Sequence, residues 1–205
     1  MRVARALLFA LPGLALFVAG QFHPPHLTDA TSHTWWTLHV TGLFVFPLVA
    51  VALVLLLRGR RDPVAVVVVL LAYVYATAYS ALDVINGIGA GYVTWRLGPG
   101  QPRPDDLGSL FHIGTELGLW GSRALVAASV VVVLDALWRR RVWALPALVL
   151  VPGAYLVHVH HIFHPEGAAG MGLIGLATGW LAYLGRGPAR QNSRPAGSSM
   201  PRSAS

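Results

Sequence analysis

Six apolar runs, residues 6–20, 36–57, 64–82, 117–138, 142–163 and 168–184, leave this chain few ways to fold. Runs two to five have about the 20 residues a helix needs to cross a bilayer. The sixth is near the lower limit, and the first is short and contains Pro12-Gly13. Hydrocarbon offers no water to a free N–H or C=O, so a spanning run must bond its own backbone as a helix. The expected fold class is an all-α integral membrane protein, a six-transmembrane-helix bundle over residues 1–185. The Ser-, Pro-, Arg- and Gly-rich stretch 186–205 is expected to be a disordered cytoplasmic tail.

Composition excludes the main competitor. Charged residues make up 11% of the chain, against about a quarter in a soluble domain. The net charge of +7 raises nucleic acid as a partner, but the basic residues are all Arg and sit at the ends of the apolar runs, with no basic stripe. The expected partner is the lipid bilayer, together with further copies of the chain or a larger membrane complex. Without Lys there is no Schiff-base chemistry, and without Cys no disulfide or thiolate metal site.

The arginines also orient the bundle. Arg2 and Arg5 precede the first run, and Arg58, Arg60 and Arg61 follow the second. Arg139, Arg140 and Arg141 separate the fourth from the fifth, and Arg186, Arg190, Arg194 and Arg202 follow the sixth. Six crossings with both termini cytoplasmic put all of these inside. The expected location is the plasma membrane, and all nine His residues then fall at its extracytoplasmic face. The alternative is a cleavable signal peptide ending at Val18-Ala19-Gly20, which leaves five spans.

The densest chemical feature is His158-Val159-His160-His161-Ile162-Phe163-His164. On a continuing helix His160, His161 and His164 share an arc of about 100°, and neighbours three and four apart can ligate one ion. Neutral imidazole suits Zn, Cu and Fe, and a His-rich tract reads as metal binding. The tract resembles the His boxes of membrane di-iron hydroxylases and desaturases, but those need several boxes and this chain has one tract.

A second group opens the fourth run. His112 and Glu116 lie one turn apart, with Arg123 about 10 Å deeper on the same face. His39 lies a turn inside the second run and is expected to face the bundle. His23 and His33 are read as loop residues. Asp83, spaced by three from Ser80 and Asn86, is placed to orient a ligand as an outer carboxylate. The small residues Gly114, Gly118 and Gly121, and Gly172, Gly175 and Gly179, are expected to let helices approach closely.

The expected ligand set is His39, His112, Glu116, His158, His160, His161 and His164, holding Cu, Zn or Fe, with Asp83 and Arg123 as further intramembrane polar groups. Such a centre is either catalytic or an acquisition site. A b-type haem, held by His39 and His158 with Arg123 on a propionate, is the competing cofactor. A metal transporter, or a non-catalytic accessory subunit that switches with pH, is the competing role.

Overall fold

A computed structural model describes residues 1–185, and the expected disorder of 186–205 lies outside the described residues. The described chain is helical, with no strand. Its elements are α1 (Arg2–Gln21), α2 (Ser32–Leu56), α3 (Pro63–Leu82), α4 (Ala90–Leu97), α5 (Asp106–Arg140), α6 (Leu150–His160) and α7 (Glu166–Leu184). A π-helical segment, Asp83–Gly89, joins α3 to α4, and a 3-10 segment, Arg141–Val149, joins α5 to α6. Five helical stretches are long and apolar enough to cross a membrane: Arg2–Gln21, Ser32–Leu56, Pro63–Leu97, Asp106–His160 and Glu166–Leu184. Large apolar side chains such as Leu70, Tyr73, Leu134 and Trp138 stand on the outside. That surface is compatible with lipid.

The stretch Asp106–His160 is not one rod. Arg141 adopts φ 52°, where a non-glycine residue is strained, and α6 folds back along α5. Ser122 of α5 meets His158 of α6 at 2.9 Å. The fifth apolar run therefore begins as a 3-10 turn around Pro146 and becomes α-helical only from Leu150. The run also stops early. His161 has φ 53°, which ends α6 at His160, so the tract 158–164 is not the continuous helix its spacing predicts.

Small residues set the helix packing. Gly121 lies against the Tyr79 backbone on α3, and Gly118 against Leu82. On α1 and α7 the approach is backbone to backbone. A Cβ added at Gly13 would sit 2.5 Å from the Gly175 nitrogen, and one at Gly175 would sit 2.8 Å from the Ala10 carbonyl oxygen. The helix α1 runs unbroken through Pro12-Gly13. The lost N–H of a proline is tolerated in such a helix when neighbouring helices hold it in place, and Gly13 is where α7 docks. Further along α1, Gly20 abuts the Ile162 carbonyl and Ala168. This contact brings the end of α1 to the turn that follows α6.

At the opposite end arginines tie the helices together. Arg5 donates to the Ala182 carbonyl, and Arg140 to the Leu181 carbonyl at 2.8 Å. Arg60 bonds both Asp62 and Asp135, and Asp135 also accepts from Arg139. Asp62 caps α3 through the Ala65 N–H. The hydrogen bonds from Arg60 hold the Asp62 carboxyl down at about 2. A carboxyl with a depressed folded pKa stabilises above its unfolded value, and loses that stabilisation as pH falls through the folded value. Asp62→Asn retains a capping oxygen but not the charge. Thermal melts of the variant in detergent should show a shallower decline between about pH 4 and pH 2 than the parent. An unchanged acid limb would mean that Asp62 contributes nothing by its charge.

Candidate metal centre

Three imidazoles from distant parts of the chain meet between the ends of α1, α2 and α6. Ligand-capable atoms of His23, His39 and His161 all lie within 4.8 Å of one another. His39 is on α2 and 5% exposed, and His23 is buried in the linker after α1. His161 occupies the turn after α6. Its ring stacks parallel to His39 at 6.1 Å and lies against Phe46 and Tyr79.

Each ring has its second nitrogen occupied. Nδ1 of His39 faces the Trp35 carbonyl at 2.7 Å, and Nδ1 of His23 faces the Pro24 carbonyl at 2.8 Å. A carbonyl only accepts, so each of these Nδ1 atoms carries the hydrogen. In the neutral rings both Nε2 atoms are then bare lone pairs, yet they face each other at 3.4 Å. In those neutral rings the contact has no hydrogen to share, and a cation could sit between the two atoms. Two ligands of a tetrahedral ion with bonds of about 2.0–2.1 Å lie about 3.3 Å apart, which matches this separation. His161 Nδ1 pairs with the Tyr79 hydroxyl; where the ring donates in that bond, its Nε2 is a bare lone pair able to ligate. Outer partners of this kind fix ring orientation in metal sites.

A carboxylate adds to the unmet demand. Asp83 is 0% exposed, and neither of its oxygens has a hydrogen-bond partner among the described residues. Oδ1 lies 3.8 Å from His39 Nε2. It approaches the side where an ion would sit, not the Nδ1 side where an orienting carboxylate would be found. An unpaired buried carboxylate is expensive. A cation held by the imidazoles would offset that penalty.

Local sequence accounts for these placements. The π-helical turn widens α3 where Asp83 and Asn86 are carried, and turns both side chains into the bundle. Such bulges are frequent at functional sites. Gly87, in the same turn, leaves room for the His39 ring, since a Cβ there would lie 2.1 Å from His39 Cδ2. Trp35 donates to the Asn86 carbonyl at 3.0 Å and ties α2 to the turn. Trp35 and Phe163 pack edge-on against His23, and with Leu27 and Leu107 they form an apolar cap over the centre. Burial lowers the pKa of His23, and its bond to the Pro24 carbonyl opposes that shift in part. The net shift favours the neutral ring, the form that binds metal.

Of the ligands expected from sequence, the structure brings His39 and His161 together and adds His23, which the sequence reading leaves in a loop. His112, Glu116 and His164 are exposed and stand outside the cluster. His158 is half-buried and bonded to Ser122, and His160 is half-buried beside it. The expected arc of His160, His161 and His164 does not exist, because the left-handed His161 breaks the helix. Arg123 is exposed on the outside of α5 and not on the face that meets the other helices. Tyr79 is a further contributor, buried at 1% exposure among apolar residues of α3. Its signal in the sequence is the i, i+4 spacing of Tyr75, Tyr79 and Asp83, which aligns two hydroxyls and a carboxylate on one helix face.

No protein-family model, no curated protein and no solved structure matches the chain.

Proposed function

We propose that this protein is a six-crossing membrane bundle that holds a Zn, Cu or Fe ion at its extracytoplasmic end through His23, His39 and His161. The observation that carries the proposal is the pair of bare Nε2 atoms facing each other at 3.4 Å with both Nδ1 atoms committed to carbonyls. Asp83 supplies a negative charge beside the ion, and Tyr79 orients His161. The nitrogen and oxygen donors suit these metals. Three imidazoles leave a fourth position for Asp83, water or a substrate, as in catalytic zinc sites. A haem held by His39 and His158 has less support, because His158 is bonded to Ser122 and stands outside the three-imidazole cluster that includes His39.

Counting the α5 and α6 arms separately supports the reading of six crossings, since the backbone reverses at Arg141. Arg5, Arg60, Arg139 and Arg140 gather at the end away from the histidines. The positive-inside rule makes that end cytoplasmic. The close fit of Gly13 to Gly175 supports retention of α1 in the working protein.

Metal analysis of purified, dialysed protein tests the proposal. About one transition-metal ion per chain is expected after reconstitution with Zn or Cu, because three imidazoles held this close retain such ions. A content below about 0.2 per chain, unchanged by reconstitution, defeats it.

A further inference from the structure

A cavity of about 350 Å³ lies between α2, α3, α5 and α6. His39 and His161 form part of its wall, whereas His23 and Asp83 do not. The centre therefore has a closed side, made by His23 and Asp83, and a side that faces the cavity. Much of the wall is aromatic or aliphatic: Trp35, Tyr79, Phe111 and Phe163, with Leu82 and Leu119. Polar wall groups are largely paired with each other, Ser122 with His158 at 2.9 Å and Thr115 with Asn86 at 3.2 Å. A guest here meets mostly rings and aliphatic groups; apart from Asn86 Oδ1, which is buried without a partner against Gly114, the open polar position is at the metal.

We infer that the cavity binds a small flat aromatic molecule that carries a single metal-binding oxygen or nitrogen and directs it at the ion between His39 and His161. The inference rests on the metal site proposed above. The size suits a molecule of roughly ten to fifteen non-hydrogen atoms, since the volume is at the lower end for ligand pockets. Four aromatic side chains favour a ring, which they hold by offset or edge-to-face contact. A ligand with many hydrogen-bonding groups would leave them unsatisfied against this wall. The donor atom of the ring would take the coordination position that the three imidazoles leave open.

The test uses the full chain loaded with Co(II), whose visible bands report a change of ligand, with 4-phenylimidazole as the probe and imidazole as the control. Both offer the same donor nitrogen, and only the first has a ring to place in the cavity. The probe should bind at least about 10-fold more tightly than imidazole, the gain expected from burying an aromatic ring. Leu119→Trp fills the cavity and should remove that gain while cobalt stays bound. Leu119→Phe, a smaller change, should reduce it and serves if the Trp variant does not fold. Equal affinity for the two probes in the parent protein overturns the inference, as does a gain that survives in both variants. Cobalt retention is read separately. If the parent holds no cobalt, the metal site and this inference fall together. If it holds cobalt without the gain, only the cavity inference fails.

Discussion

Alanine at His23, His39 or His161 is expected to strip the proposed metal from the protein, while His112→Ala and His164→Ala should leave it bound. Loss of one of three imidazoles should lower affinity on the order of 100-fold or more, since even outer partners of metal ligands are worth 10–100-fold. The effect should be similar at all three positions, because the three donor groups lie within 4.8 Å of each other and none is peripheral. His112 and His164 are exposed and away from the cluster. Competition titration with a chromophoric chelator on each purified variant reads the affinities. Retention of metal by His23→Ala would separate the linker from the site. Loss on His164→Ala would return the site to the His tract and contradict the break at His161. Folding is monitored in parallel by helix content, so that a collapsed variant is not counted as a lost ligand.

Gly87→Ala is expected to act nearly as strongly without touching a ligand. Alanine is the better helix former by about 1 kcal/mol, so propensity alone predicts a neutral or stabilising change. The structure predicts the opposite, because the new Cβ would lie 2.1 Å from His39 Cδ2. The ring cannot simply rotate away while Nδ1 stays bonded to the Trp35 carbonyl. Metal affinity should fall by roughly 10–100-fold, the range seen when a ligand's support is disturbed. A double-mutant cycle identifies the cause. In a His39→Ala background, Gly87→Ala should no longer destabilise the fold, because the atoms that clash are gone. Additive losses of stability in the cycle would rule out this contact as the origin of the effect.

The helical character is legible in the apolar runs, because a spanning segment must satisfy its own backbone. The glycine spacings on α5 and α7 also show directly, since close approach depends on residue size alone. The site is less legible. His39 can be read from its position a turn inside an apolar run. His161 belongs to the conspicuous tract, but its direction depends on a left-handed backbone that spacing does not reveal. His23 is placed by an event remote in sequence, the docking of Gly20 against Ile162 and Ala168. Asp83 is recognisable as a buried carboxylate, but the π-helical turn that aims it has no simple signature in its residues. Tyr79 is hidden inside an apolar run. Periodicity describes each helix in isolation, whereas this centre is made by contacts between them.

The clasp of α1 on α7 has a consequence for biogenesis. Among the described helices the ribosome makes α1 first and α7 last, yet the end of α1 is held against the start of α7. His23 hangs from that junction. During synthesis His39 becomes available early and His161 late, and the third imidazole is fastened only when α7 has been inserted. On the proposed reading, a growing chain would hold no finished centre with which to capture an ion. If the centre holds an ion as proposed, loading would mark completed insertion, and a chain stalled before α7 should stay empty although every one of its histidine ligands has been made.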